Sequence, residues 1–174
     1  MVVLINSWLF SLQVASMPCG YSFVTEDRSN LTLQNTQLEQ FWKGISLTSC
    51  FGIAINGNNL TDINTGIKMD SCNNSIYKKN VSNSKYAMML ENYEETWVVV
   101  NNTFYQNNFV NISQMISIES LSHQNYWDNG SKGNYWSNYN GTDNNANSIG
   151  DNHYMIDANN IDNYPLMTPY ESTQ

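Results

Sequence analysis

The chain has 174 residues, a length typical of one domain, and 29 of them are asparagine. Only 13% of the residues are charged, and the net charge of −8 argues against nucleic-acid and anionic-membrane partners, which need clustered cations. The asparagine content disfavours a mostly helical protein, whereas the 41% of hydrophobic residues can supply a core. The asparagine excess fits disorder, many tight turns, or stacked side-chain ladders in a repetitive β structure.

The first segment, residues 1–19, begins with an apolar run at residues 2–12. This run has no basic segment before it and is interrupted by Asn6 and Ser7. It is too short and too polar to cross a bilayer, so we predict no membrane span. It is either a degenerate signal segment or an incomplete first unit of the repeat that follows, and we favour the second interpretation. Such a unit is an uncapped edge through which molecules can associate.

Residues 20–125 contain a repeat with a period of 20–24 residues. Each copy has a five-residue segment that is apolar at its second and fourth positions and mostly polar between them. This alternation of period two indicates a short strand with one face inward. The copies are residues 20–24, 44–48, 66–70, 86–90 and 109–113. The two predicted inward columns are Tyr21, Ile45, Ile67, Ala87 and Val110, and Phe23, Leu47, Met69, Met89 and Ile112.

Turns rich in asparagine or acidic residues separate these segments from a second short apolar strand, as at residues 56–63. A unit of about 22 residues with sharp turns fits one coil of a β solenoid, since helical repeats need about 33–34 residues. Stacked coils lie about 4.8 Å apart, which turns each column into a ladder of like residues. The alternative is an ordinary β-sandwich whose spacing is accidental.

Two phrases of the repeat, residues 66–76 and 100–108, resemble right-handed parallel β-helix repeats. These are the repeats of NosD-type periplasmic copper-binding proteins and of carbohydrate-binding and sugar-hydrolase (CASH) domains. The block at residues 127–143 resembles the C-terminal segment of secreted archaeal β-helix proteins of that family. The resemblance covers about residues 20–168 of the chain.

The resemblance implies an all-β, right-handed parallel β-helix of about five coils with a C-terminal cap. The repeats would occupy residues 20–125 and the cap residues 126–174. The resemblance also implies an extracellular or cell-surface location, which in a host with an outer membrane is the periplasm.

The best candidate metal site is the loop at residues 143–151, where oxygen donors at alternate positions can converge on one hard cation. The family pattern there resembles a Ca²⁺ loop, but Asn147 replaces an aspartate, and Ala146 and Ser148 replace glycines. These departures predict weak calcium binding or none, and the alternative is a turn without metal. The predicted ligands are Asp143, Asn145, Asn147, the Ile149 carbonyl and Asp151.

Five aromatic residues around this loop are candidates for stacking on sugar rings. The alternative is that they cap the open apolar end of the last coil, which we favour because a solenoid must cover that end. The five are Tyr126, Trp127, Tyr135, Trp136 and Tyr139.

A polysaccharide hydrolase or lyase needs a pair of carboxylates, or a carboxylate with a basic partner, on one face. The carboxylates on the repeats are scattered, and only Asp70 and Glu91 fall at nearly equivalent positions of adjacent coils. We favour a solvated turn for both residues and assign no catalytic residue.

Copper binding is the weakest alternative, although Cys and Met are suitable ligands for Cu(I). Met69 and Met89 fall in an inward column, and His123 and His153 have no nearby partner ligand. Cys50 and Cys72 share one column, and a buried pair of thiols is favoured over a disulfide because parallel Cβ vectors suit a disulfide poorly.

The sequence therefore predicts a non-catalytic secreted or cell-surface β-helix module. Its expected partner is a carbohydrate, such as a cell-surface polysaccharide, or another protein, and its one expected cofactor is structural calcium. The alternatives are a carbohydrate-active enzyme or a fragment of one, and a periplasmic copper-maturation protein.

Overall fold

The computed structural model describes residues 13–14, 20–27, 29–70, 72–77, 79–91, 99, 101–118 and 124–171. Most of the predicted N-terminal segment, with Cys19 and His123, lies outside the described residues. The described ranges contain seventeen strands and no helix. None of these ranges therefore holds an apolar helix of membrane-spanning length.

Fifteen strands form three parallel sheets, and the last two form an antiparallel hairpin. Sheet A contains β1 (Gln13–Val14), β4 (Gln37–Glu39), β7 (Asn59–Thr61), β10 (Asn80–Ser82), β13 (Asn108–Val110) and β15 (Tyr135–Trp136). Sheet B contains β2 (Tyr21–Glu26), β5 (Lys43–Thr48), β8 (Thr65–Asp70), β11 (Tyr86–Glu91) and β14 (Gln114–Ile118). Sheet C contains β3 (Thr32–Gln34), β6 (Phe51–Asn56), β9 (Asn73–Tyr77) and β12 (Thr103–Tyr105). The hairpin pairs β16 (Tyr154–Met155) with β17 (Ile161–Asp162).

The chain visits sheets B, C and A in turn and then repeats the circuit, which makes a parallel β-helix. Each strand pairs in register with the strand one coil further on, so that Ile45 pairs with Ile67 and Leu38 with Leu60. These apolar columns point inward and are buried, and together they form one core along the axis of the solenoid. The predicted all-β, parallel β-helix fold is confirmed.

The predicted alignment of the inward columns is correct in the central coils and wrong by one residue in β11. Met88, not Met89, pairs with Ile67 and is fully buried, whereas Met89 lies on the outer face. The reason is steric, because a Cβ on Gly66 would lie 2.7 Å from the Ala87 carbonyl oxygen. Ala87 takes the place of the glycines in this column and shifts the strand by one residue, and Met115 follows it in the last strand of the sheet.

The first and fifth copies of the repeat are also misaligned. Phe23, not Tyr21, pairs with Ile45, which moves the first copy by two residues. Phe109 and Val110 belong to sheet A, and β14 is the fifth strand of sheet B. Alternation of period two marks a strand with one buried face but does not say which of three sheets the strand joins.

Sheet A continues past the predicted boundary between repeats and cap at residue 126. Its last strand, β15, adds Trp136 to the column that contains Phe109. The pairing of β1 with β4 in turn extends this sheet back to Gln13, which lies within the predicted N-terminal segment. The domain limits themselves stay predictions.

Five of the described asparagines occupy corners with a left-handed backbone: Asn30, Asn35, Asn83, Asn101 and Asn111. One column of corner residues after the strands of sheet A has φ between 51° and 61° in every member: Gln40, Asp62, Asn83 and Asn111. Asparagine adopts this region at a lower cost than most residues. The turn explanation for the asparagine excess therefore applies to the outside of the solenoid.

Other asparagines form a ladder inside the solenoid, just before the strands of sheet A. Asn107 donates from Nδ2 to the Ile76 carbonyl at 3.2 Å and to Asn134 Oδ1 at 2.8 Å. The same Oδ1 accepts the backbone N–H of Asn107 at 3.1 Å. Because this pattern satisfies buried backbone groups, the ladder explanation applies as well. The positions of this inner ladder are Thr36, Asn58, Lys79, Asn107, Asn134 and Asp162.

Candidate functional site

Trp127 and Trp136, two of the five candidate sugar-stacking rings, belong to the core. Both are fully buried, and their ring centroids lie 4.5 Å from Phe104 and 4.7 Å from Phe109, respectively. Their faces are therefore not accessible to a sugar, which corrects the stacking prediction for these two residues. They cover the last coil, as the alternative interpretation expected.

Tyr139 packs within the C-terminal segment. Its hydroxyl donates to the Asn152 carbonyl at 2.6 Å, and burial raises the pKa of this hydroxyl. A Cβ on either Gly141 or Gly150 would lie 2.0 Å from the Tyr139 hydroxyl oxygen, so the glycines leave room for this ring. Tyr139 is thus a packing residue of the cap.

Tyr126 and Tyr135 remain on the surface, but on different faces. Tyr126 is 50% exposed and forms a parallel bridge with Thr103, at the end of sheet C. Tyr135 is half-buried and pairs with Asn108 on sheet A. The structure therefore does not gather the five predicted rings into one binding site.

The predicted calcium ligands lie in one loop, where their oxygens accept hydrogen bonds from backbone amides. The two carboxylate oxygens of Asp143 accept the N–H groups of Asn147 at 3.1 Å and Ser148 at 2.9 Å. Asn145 Oδ1 also accepts the Asn147 N–H at 3.1 Å, and Asn147 Oδ1 accepts the Ile149 N–H at 2.8 Å.

Asp151 closes the loop from the other side. Its Oδ2 accepts the backbone N–H of Asn144 at 2.8 Å and the side-chain amide of Asn144 at 2.7 Å. These bonds are those of a side-chain-supported turn, and Asp151 Oδ2 uses both of its lone pairs to accept them. Among the described residues, no group of three or more His, Cys, Asp or Glu side chains is placed to hold a metal ion.

Asp162, which the sequence analysis did not identify, ends the inner ladder beneath the cap. Its carboxylate accepts the Trp136 indole N–H at 2.9 Å, the Asn134 backbone N–H at 2.7 Å and the Tyr164 backbone N–H at 3.0 Å. Burial raises the pKa of Asp162 to about 6, and these hydrogen bonds partly offset the rise. Asn107, Asn134 and Asp162 follow one another at intervals of 27 and 28 residues. This regular spacing is the sequence signal that could have identified Asp162 as a ladder position.

Lys79 is the second residue that sequence reasoning missed. It occupies an inner-ladder position between Asn58 and Asn107 and is only 1% exposed. Its amino group has no hydrogen-bond partner among the described residues, and burial lowers the pKa of Lys79 well below its usual range. A lysine that interrupts a column of asparagines at the repeat spacing was visible in the sequence.

The one carboxylate pair suggested by the sequence is in register. Asp70 and Glu91 are paired residues of β8 and β11 on the outer side of sheet B. Lys68 forms an ion pair with Glu91 at 2.5 Å, and Asp70 is 4% exposed. The structure therefore brings together two carboxylates and a basic group.

These features define the molecule as a parallel β-helix protein with an outer column of amides on sheet A and an aromatic cap. Residues 12–141, which are 130 of the 174 residues, match the family model described as "Periplasmic copper-binding protein (NosD)". The chain therefore belongs to the NosD family. No curated protein and no solved structure matches the chain. The CASH and archaeal parts of the resemblance stay predictions.

The family description names copper, and the buried thiols do not fit a copper ion. Cys50 and Cys72 are buried and form no disulfide, and Cys72 Sγ donates to the Asp70 carbonyl at 3.0 Å. A hydrogen bond with Cys50, together with burial, raises the pKa of the Cys72 thiol. A metal ligand must be a thiolate, and this environment favours the protonated thiol instead. Met69 and Met88 are likewise fully buried in the core.

Proposed function

We propose that the protein is a non-catalytic carbohydrate-binding module that acts outside the cytoplasm, in the periplasm or at the cell surface. The observation that supports this proposal is the outer surface of sheets A and C. Uncharged amide and hydroxyl side chains are aligned from coil to coil there, and Tyr126 and Tyr135 lie at the ends of two outer columns. Amides and hydroxyls both donate and accept hydrogen bonds, which suits the hydroxyl groups of sugars.

A glycan array, followed by titration of the strongest soluble ligands, tests this function. We expect saturable binding of at least one polysaccharide and no release of reducing ends from it. If no glycan binds while the protein is folded, the carbohydrate proposal is wrong and a protein partner becomes the first candidate.

A second candidate function is a carbohydrate-active enzyme, supported by the pairing of Asp70 with Glu91 beside Lys68. A carboxylate pair can supply a general acid and a base or nucleophile. The variants Asp70→Asn and Glu91→Gln separate the two functions. An enzyme that uses this pair loses product formation in both variants and keeps substrate binding, whereas a binding module forms no product even before substitution.

We also propose that the loop at residues 143–151 holds calcium weakly, as a structural ion. Its carboxylates, Asp143 and Asp151, supply two charges, and calcium prefers such oxygen ligands. Addition of millimolar Ca²⁺ should raise the melting temperature above that measured in chelator, and Asp143→Asn should reduce this rise. If the melting temperature is the same with Ca²⁺ and with chelator, the calcium proposal is wrong and the loop is a turn without metal.

A further inference from the structure

The outer face of sheet A carries a column of amide side chains and, beside it, a column in which Glu39, Thr61, Ser82 and Val110 are paired in register. The first, which we call the amide column, consists of Gln37, Asn59, Asn80 and Asn108, paired in register from coil to coil. Thr61 and Ser82 lie two residues further along the same strands, and their hydroxyl oxygens are 3.2 Å apart. Because side chains two residues apart in a strand point to the same face, the amides and hydroxyls share one surface.

At its last amide the column already binds another segment of the chain. Asn108 Oδ1 accepts the backbone N–H of Tyr170 at 2.7 Å, and Asn108 Nδ2 donates to the Tyr170 carbonyl at 2.9 Å. The same Nδ2 donates to Asn80 Oδ1 at 2.6 Å. An amide of this column can therefore engage a neighbouring donor and acceptor together while it stays aligned with the next amide.

The remaining amides present the same groups to solvent. Gln37, Asn59 and Asn80 are exposed, and neither Gln37 nor Asn59 uses its side-chain amide in a hydrogen bond with another described residue. The charged side chains beside them, Glu39 and Asp62, are both acidic and exposed. This surface therefore favours an uncharged ligand and repels an anionic one.

The spacing of the column fits a chain of sugars. Adjacent coils of a parallel sheet lie about 4.8 Å apart, which is close to the length of one pyranose in an extended 1,4-linked chain. A polysaccharide along the solenoid axis would thus meet one amide per sugar. The hydroxyl column lies about 6.6 Å to the side, within the reach of the substituents on the same ring.

We infer that the outer face of sheet A binds a linear, uncharged polysaccharide that lies along the solenoid axis. Gln37, Asn59 and Asn80 each contact a successive sugar through paired donor and acceptor bonds, and Thr61 and Ser82 contact the ring edges. The inference rests on the proposed carbohydrate-binding function and specifies both the surface and the ligand class.

The test is calorimetric titration with neutral 1,4-linked oligosaccharides of increasing length and with polygalacturonate as the anionic counterpart. Wild-type protein should bind the neutral series with an affinity that rises with chain length, and should bind polygalacturonate much more weakly. The double variant Asn59→Ala/Asn80→Ala should lose affinity by about tenfold or more, the effect expected when several hydrogen bonds are removed. Gln114→Ala, an exposed amide on sheet B, is the matched control and should bind like wild type.

A thermal melt shows whether each variant is folded. If the alanine variant is unstable, the double variant Asn59→Gln/Asn80→Gln, which keeps the amide groups, replaces it. Partial binding by this glutamine pair supports the inference. If wild type binds a neutral glycan and the alanine pair binds it equally well, the inference is wrong and the proposed function stands. Loss of binding in Tyr126→Ala alone would then place the glycan on sheet C. If wild type binds no glycan of either kind, the proposed function itself is wrong.

Discussion

At the scale of single residues, the inner ladder shows how one position can set local stability. At Asn107 and Asn134, a side-chain oxygen accepts a buried N–H of the preceding coil and the amide nitrogen donates to a carbonyl. Lys79 provides neither interaction from its side chain and leaves its amino group without a partner among the described residues. A buried polar group without a hydrogen bond costs about 1–3 kcal/mol, so this coil is less stable than its neighbours.

We therefore expect Lys79→Asn to raise the free energy of unfolding by about 1–3 kcal/mol. The new side chain would accept the Asn58 N–H and donate to the Ile55 carbonyl, as its neighbours do one coil away. Urea unfolding at neutral pH measures the change. Because the folded-state pKa of Lys79 is lowered, wild-type stability should rise with pH toward the unfolded value of 10.5, and the gain should shrink there.

Lys132→Asn, which changes an exposed lysine, is the control and should have little effect. A Lys79→Asn protein that is less stable than wild type would show that the lysine has a favourable role in the core.

In the loop at residues 143–151, the backbone is strained at Ala146 and Ser148. Ala146 has φ of 55° and Ser148 has φ of 69°, the left-handed region that glycine adopts without a steric cost. In the Ca²⁺-loop pattern that this segment resembles, both positions are glycines. The double variant Ala146→Gly/Ser148→Gly should therefore be more stable by up to about 1 kcal/mol per site, after the entropy cost of glycine in the unfolded chain.

Differential scanning calorimetry measures this gain as a higher melting temperature. His153→Gly is the control, since it adds the same flexibility at an exposed residue outside the positive-φ region and should lower the melting temperature. If the melting temperature falls equally in the double glycine variant and in His153→Gly, the loop stores no strain.

At the scale of strands, the close approach of sheet B to the core fixes the register. A Cβ on Gly66 would lie 2.7 Å from both the Ala87 oxygen and Val81 Cγ1, and one on Gly44 would lie 2.6 Å from the Gly66 oxygen. Backbone atoms cannot move away as the end of a flexible side chain can. This column therefore admits glycine and, at the last of these coils, alanine.

Gly66→Ala should lower the free energy of unfolding by about 1–3 kcal/mol, the usual effect of an extra methyl group in a tightly packed core. Chemical denaturation measures it, with Ser117→Ala on the outer face of the same sheet as a control of near-zero effect. Wild-type stability in the Gly66→Ala protein would mean that adjacent coils can separate, and the steric explanation of the register would fail.

At the scale of the whole molecule, the cap makes stability depend on pH through Asp162. The folded pKa of about 6 lies above the unfolded value of 3.8, so the folded state holds the proton more tightly. The stabilisation from this group is complete below the unfolded pKa and is lost as pH rises through about 6. A shift of about two units corresponds to roughly 3 kcal/mol.

Other carboxylates titrate in the same pH range. The informative quantity is therefore the difference in the free energy of unfolding between wild type and Asp162→Asn. Wild type should lose stability relative to this variant between about pH 4 and pH 7. Urea unfolding across this range measures the difference. A difference that is constant with pH would mean that Asp162 has an ordinary pKa.

The fold was predictable because it depends on a local pattern that recurs. Columns such as Ile45 with Ile67 follow from period-two alternation at a regular spacing. The error at Met88 and Met89 arose because one small residue, Ala87, shifts a strand through contacts that sequence spacing does not show. Phe109 was assigned to the wrong sheet because strands of all three sheets share one alternation.

The candidate site was less predictable, because burial decides which side chains can meet a ligand. Trp127 and Tyr126 are adjacent in the chain, yet one ring lies in the core and the other is half exposed. Asp162 and Lys79 were missed because their importance comes from the inner ladder, whose members lie 21–28 residues apart. The amide column likewise becomes visible only when strands from different coils are placed side by side.

The pairing of Lys43 with Thr65 makes residues 44–65 one complete circuit of the solenoid. Each coil contacts only its two neighbours, so a circuit can be duplicated or deleted without exposing new core. Such an event would lengthen or shorten the molecule by about 4.8 Å and leave both ends as they are. Gene duplication can therefore change the reach of this protein in fixed steps, and each added circuit would extend the amide column by one member.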